Sequence, residues 1–157
     1  MFFRLRRREV YLSRGVSLGG RGMKLAIIGS RHLLTVNIEK ELTKIPDTIV
    51  SGGAIGVDSC ARDYARRHGL KLIEYFPDYQ RYGGGHAPLV RNRLIVDECD
   101  CLLAFWGGMT ECHPACEQLG FIPQSEFLRS RSFTSRGTKY TIDYATKVGK
   151  PMKIVRV

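Results

Sequence analysis

Along this chain, short aliphatic or β-branched runs alternate with segments whose apolar residues recur every three or four positions. Leu25 to Ile28 form an unbroken apolar run, the pattern of a central parallel strand covered on both faces. A weaker helical stripe of Leu34, Ile38, Leu42 and Ile45 follows. Thr48-Ile-Val50 reads as a second strand, ending in the turn Ser51-Gly-Gly-Ala-Ile-Gly-Val-Asp58. From Val57 on, Cys60, Ala61, Tyr64, Ala65 and His68 share one helical face, and Arg62, Asp63, Arg66 and Arg67 point the other way. Gly69 stops that helix, Leu70 to Tyr75 is a third strand, and Pro77 to His86 is a loop rich in Gly, Tyr and charge. Ala87 to Glu98 reads as a helix with Pro88 in its first turn, where a missing N–H does no harm. Cys101 to Phe105 is a fourth strand, Thr138 to Val148 a helix stopped by Gly149, and Met152 to Val155 the last strand. This alternation predicts an α/β fold: a Rossmann-like three-layer domain with an open, mainly parallel five-stranded sheet and helices on both faces.

In such sheets ligands bind at the carboxyl ends of the strands, where the strand order reverses. Two glycine turns of this chain fall at strand carboxyl ends. Gly52 and Gly53 allow a tight turn and close approach of backbone to a ligand, and the helix that follows offers unpaired N–H groups and its positive dipole end. Together these make an anion site suited to phosphate. Gly29 and Ser30 close the first strand, and Arg31 just beyond them can reach a phosphate with its planar fork of donors. Gly137-Thr138 opens a later helix and forms a further cradle from its N–H groups and the Thr hydroxyl. Arg91 supplies charge, or instead pairs at the surface with Asp97; Asn92 has the donors and acceptor to bond a ribose or a base edge. Asp58 stabilises the helix dipole, bonds a ribose hydroxyl, or does both.

Taken in order, Gly29-Ser-Arg31, Ser51-Gly-Gly-Ala-x-Gly-Val-Asp58, Pro77-Asp-x-x-Arg-Tyr-Gly83, Ala87-Pro-x-x-Arg-Asn92 and Gly137-Thr138 resemble the SLOG superfamily, which joins the Smf/DprA DNA-processing proteins to the LOG phosphoribohydrolases. The chain looks most like the small stand-alone YspA-like branch, over roughly Met23 to Trp106 and Arg136 to Val157. The resemblance implies a Rossmann-like domain binding a nucleotide or a nucleotide derivative such as an ADP-ribose-like molecule. Its pocket would be lined by Gly29, Ser30, Arg31, Gly52, Gly53, Asp58, Arg91, Asn92, Gly137 and Thr138, with Ser51, Ala54 and Gly56 of the same turn. One departure concerns catalysis. LOG hydrolases carry a glutamate three residues after the Thr of their Gly-Thr motif, and here that position is Thr141. Asp143 would point about 200° away around the helix. Without the carboxylate, glycosidic cleavage by that route loses its acid–base group. No catalytic residue is assigned, and a binding module without a required cofactor is expected.

Two segments stand outside the resemblance. Residues 1 to 22 hold six arginines against Glu9 alone and so supply half of the formal +10 charge. Such an arm suits non-specific contact with nucleic acid. Met23 directly precedes the first strand, and the Gly19-Gly-Arg-Gly22 codons suit a ribosome-binding site, so the arm also reads as an over-called start. It lacks the long apolar core of a secretory signal. The domain itself is expected to span residues 23–157. Residues 107–135 form an atypical insert, with a Ser/Phe/Arg-rich stretch from Phe127 to Thr134. Within it, Cys112-His113-Pro-Ala-Cys116 lacks the second cysteine pair of a zinc site, and no metal is expected. Cys99 and Cys101 are expected on opposite faces and so in no common site, and Cys60 lies on the core face of its helix. Five irregularly placed cysteines suit a reducing cytoplasm better than a disulfide framework. No apolar run approaches a membrane span. Three function classes follow: a nucleotide-binding module, a nucleotide-processing hydrolase acting on an N-glycosidic or phosphate bond, and a DprA-like single-stranded DNA binder. For the last, Tyr75, Phe76, Tyr79 and Tyr82 beside Arg81 would be the stacking platform, although core packing and adenine stacking explain them as readily. The partner expected is a small anionic nucleotide, with nucleic acid and a homo-oligomer left open and a membrane not expected.

Overall fold

The computed structural model describes residues 7–11, 22–106, 111–112 and 135–157. The five expected strands form one parallel sheet: β2 (Lys24–Gly29), β3 (Thr48–Ser51), β4 (Lys71–Tyr75), β5 (Cys101–Trp106) and β7 (Met152–Arg156). Two short strands extend it at its edges, β1 (Arg7–Tyr11) antiparallel to β4 and β6 (Glu111–Cys112) antiparallel to β7. The strand order is β1-β4-β3-β2-β5-β7-β6, so the chain moves outward from β2 through β3 to β4 and then returns to β5 on the other side. The order therefore reverses between β2 and β5. This is a Rossmann-like α/β fold.

Alternation along each strand divides the interior in two. Leu25, Ile27, Ile49, Leu72, Cys101 and Leu103 face α1 (Val57–His68), which contributes Val57, Ala61, Tyr64 and Ala65. Ala26, Ile28, Val50, Ile73, Leu102, Ala104 and Ile154 face α2 (Tyr79–Glu98) and α3 (Arg136–Lys147). Cys99 ends α2 rather than standing in a strand, yet it joins the α2 side while Cys101 joins the α1 side, so the two thiols do lie in opposite layers.

Three elements differ from the sequence expectation. The stripe from Leu34 to Ile45 forms no helix beyond a single 3-10 turn, Glu39–Glu41. Asn37 Oδ1 accepts from the Lys40 N–H at 3.0 Å and starts the turn there, and an extended Leu42 ends it. Ile38 is buried, but Leu34 and Ile45 are exposed. What anchors this segment is an ion pair that periodicity does not reveal: Lys153 Nζ on β7 donates to Glu41 Oε2 at 2.6 Å, both buried. Next, α2 starts well before Ala87, because the Asp78 carboxylate accepts from the Arg81 N–H at 3.2 Å and caps a first turn. Non-helical Gly83 then breaks the element into two pieces, which leaves Pro88 in the first turns of the second. Finally, the first strand is not at Lys24. Arg7–Tyr11 pairs with Tyr75–Lys71, and Arg7 Nη2 donates to Glu98 Oε1 at 3.3 Å.

Candidate functional site

Carboxyl ends of β2, β3 and β4 and the amino end of α3 surround a cavity of about 370 Å³, within the usual size of a small-molecule site. It lies beside the β2/β5 reversal, where sheets of this kind bind ligands. The β3 end supplies Gly52, Gly53 and Ala54, the β2 end Gly29 and Arg31, α2 supplies Arg91 and Asn92, and α3 supplies Gly137, Thr138 and Thr141.

Gly52 sits where no side chain fits. A Cβ there would meet Arg91 Nη1 on one side and come within 2.8 Å of Asp58 Oδ2 on the other. Gly53 takes φ +66°, and a Cβ there would lie 2.5 Å from Phe76 Cε1. The turn is thus packed between an arginine, an aspartate and an aromatic ring, which sets the direction of its N–H groups.

Arg91 is the main polar link of the site. Its Nη1 donates to the Gly52 carbonyl at 2.6 Å and to the Tyr75 carbonyl at 3.5 Å, and its Nε donates to Asn92 Oδ1 at 2.8 Å. The surface pair with Asp97 is not formed, because Asp97 Oδ1 accepts from the Tyr144 hydroxyl at 2.8 Å. Burial lowers the Arg91 pKa, and the nearby Asp58 and Tyr79 pull it back up. Asp58 shows the mirror effect: burial raises its pKa, opposed by the Arg91 charge and by the Ala54 N–H, which donates to Oδ2 at 3.1 Å. Asp58 therefore holds the turn as well as opening α1.

Asn92 reaches across to α3, its Nδ2 donating to the Gly137 carbonyl at 3.4 Å. Ser135 caps that helix by accepting from the Thr138 N–H at 3.4 Å, and it lines the cavity too. Thr141 also lines the cavity, with its hydroxyl donating back to the Gly137 carbonyl at 2.8 Å. Asp143 lies on the solvent side, in an ion pair with Lys139.

Of the residues expected in the pocket, Gly29, Arg31, Gly52, Gly53, Ala54, Asp58, Arg91, Asn92, Gly137 and Thr138 line one cavity. Ser30, Ser51 and Gly56 do not. Ser30 is buried behind the turn, its Oγ accepting from the His32 N–H at 3.1 Å. Ser51 is fully buried, and Gly56 packs against the Arg31 backbone. Sequence reasoning passed over the apolar lining of Ile55, Pro77, Pro88 and Ile95. The aromatic group proposed as one platform divides: Phe76 and Tyr79 line the cavity, Tyr75 is buried with its hydroxyl on Glu98, and Tyr82 packs beneath Arg81.

Arg62 was expected on the solvent face of α1. Instead its Nε donates to Glu74 Oε1 at 2.8 Å and its Nη2 to the Gly53 carbonyl at 3.4 Å. The signal was present in the strand, since a fully buried glutamate between Ile73 and Tyr75 requires a cationic partner. Among the described residues no group of His, Cys, Asp and Glu could hold a metal ion. Cys112 is described only as part of β6, and His113 and Cys116 lie outside the described residues. No described helix is long and apolar enough to cross a membrane.

Fold and site together define a Rossmann-like α/β domain with a cavity of glycine turns and arginines at its strand reversal. Residues 22–82 match the sequence model of the YspA, cpYpsA-related SLOG family, and the resemblance to that superfamily holds. No curated protein matches. Among solved structures, the chain is similar to DNA processing protein A from Helicobacter pylori, described for its single-stranded DNA binding mode, with 22% identity and a TM-score of 0.45. The alignment covers 83% of this chain and 63% of that one, so this chain spans less than two thirds of its length.

Proposed function

We propose that this protein is a nucleotide-binding module, taking a nucleotide or an ADP-ribose-like derivative by its phosphate. The observation that carries this reading is the convergence of Arg31, the Gly52-Gly53-Ala54 turn, Arg91 and the first turn of α3 on one cavity. Helix amino ends and arginine forks are what a phosphate needs. Thr141 in place of a carboxylate favours binding over hydrolysis, because its hydroxyl is already committed to the Gly137 carbonyl. The free thiols of Cys60, Cys99 and Cys101 are in keeping with a cytoplasmic setting.

Calorimetric titration of the full chain with AMP and ADP-ribose tests the reading. Binding is expected, weakened in Arg31→Ala and abolished in Arg91→Ala. Chromatography of the same mixtures is expected to show no free base above the no-protein control. Base release that disappears in Arg91→Ala would make the protein a hydrolase. Tight binding of a single-stranded oligonucleotide with none of AMP or ADP-ribose would move the reading to DNA.

A further inference from the structure

The cavity has two unlike sets of lining residues. One is the polar group just described. Beside it the cavity is lined by Ile55, Phe76, Pro77, Tyr79 and Pro88. Ile55 is 65% exposed and Tyr79 54% exposed, although both are large apolar side chains lining a cavity. Apolar side chains that stay in water at the mouth of a cavity mark a surface that something else covers.

We infer that Ile55, Phe76 and Tyr79 form the seat of a nucleobase, the base of the ligand whose phosphate lies on the polar group. The inference rests on the nucleotide reading and adds where the base lies. A sugar phosphate alone has no flat apolar face to lay on these side chains, whereas every base has one, and stacking on an aromatic ring is a main source of affinity for bases. Phe76 is held against the phosphate-type turn, since its ring packs on Gly53 so closely that a Cβ there would stand 2.5 Å from Cε1. Tyr79, in the first turn of α2, lines the same cavity as Arg91 further along that helix. Apolar and anion-binding groups therefore share one cavity, as the two ends of one small ligand require. Ile55 belongs to the Gly52–Asp58 turn itself, so one loop contributes both to the charge site and to the apolar seat.

The test compares AMP with ribose 5-phosphate, which lacks the base, by calorimetry on the full chain. Tyr79→Ala is expected to weaken AMP by about tenfold and to leave ribose 5-phosphate unchanged. Tyr79→Phe is expected to keep the AMP affinity, because the ring and not the hydroxyl carries the contact. Tyr79 is exposed, so both variants should melt like the wild type. If AMP binds and is lost in Arg91→Ala but is indifferent to Tyr79→Ala, the base seat is wrong and the nucleotide reading stands. Equal weakening of both ligands in Tyr79→Ala would also overturn the seat. A wild type that binds neither probe would overturn both.

Discussion

Arg91 and Gly52 are joined by a 2.6 Å hydrogen bond from the guanidinium Nη1 to the glycine carbonyl oxygen. The bond spans from α2 to the end of β3, and it fixes the arginine against a turn that has no room for a side chain. A cation is thus held at the glycine turn by the backbone of that turn. A charged group beside a cavity is most effective when its position costs nothing further on binding.

Gly137 offers the cleanest way to repel a phosphate. A Cβ there meets nothing nearer than Asn92 Nδ2 at 3.8 Å. Gly137→Asp should therefore fold, with stability unchanged or raised by about 0.5 kcal/mol through the helix dipole, while AMP affinity disappears. Gly53→Asp is a poorer tool, because φ +66° and the Phe76 ring both oppose a side chain. Thermal melts and calorimetry on both variants check this. Undiminished AMP affinity in Gly137→Asp would remove the α3 end from the site.

Removal of residues 1–22 should lower stability. It strips β1 from β4, leaving an unpaired edge, and it takes Arg8 from opposite Glu74 and Arg7 from Glu98. A fall of several degrees is expected, since each kcal/mol lost lowers Tm by about 2–4 °C in a chain of this size. Differential scanning fluorimetry reads it directly. An unchanged Tm would show that the edge pairing adds nothing.

The Lys153–Glu41 pair makes a prediction about a double variant. Glu41→Leu leaves the Lys153 ammonium buried without its carboxylate and should cost about 3–5 kcal/mol. Adding Lys153→Met should recover most of that loss, because two apolar side chains need no pairing. Urea unfolding of the two single variants and the double variant separates pair energy from packing. Additive losses would mean that the two residues act independently.

Asp58 sets a pH dependence. Burial raises its folded pKa above the unfolded value, despite the pull of Arg91 and the Ala54 N–H. Its contribution to stability is therefore present at acid pH and is lost as pH rises through the raised value. Asp58→Asn keeps an acceptor for the Ala54 N–H but cannot ionise. As pH rises above the unfolded aspartate value of about 4, wild type should lose stability relative to the asparagine variant, as measured by chemical denaturation at stepped pH. A gap that stays constant, or widens in favour of the wild type, would show that the carboxylate ionises without cost.

How far the sequence reaches is clear from particular residues. Strands at Leu25, Thr48, Leu70, Cys101 and Met152 were legible because each is a local apolar run between turn residues, and such runs need no distant partner to be recognised. The helix from Val57 was legible for the same reason. The glycine turns were legible because a parallel sheet can place them only at strand ends, and most of the residues there do line one cavity. By itself, then, the sequence determined the layered α/β fold and which turns would meet.

Tertiary structure decided what depends on pairs far apart in the chain. The stripe from Leu34 to Ile45 looked helical, but Glu41 is drawn to Lys153 across 112 residues, and no local period encodes that ion pair. Arg62 looked solvent-facing, but a buried Glu74 on the neighbouring strand turns it inward and onto the Gly53 carbonyl. The basic arm carried no strong strand pattern, and Arg7–Tyr11 becomes a strand because β4 offers it an open edge. Ser51 and Gly56 share the turn of Gly52 and Gly53 but face away from the cavity, since only packing chooses which side of a turn meets the ligand. Local propensity sets the elements; long-range charge pairing, edge pairing and the direction of each turn follow only once the sheet has assembled.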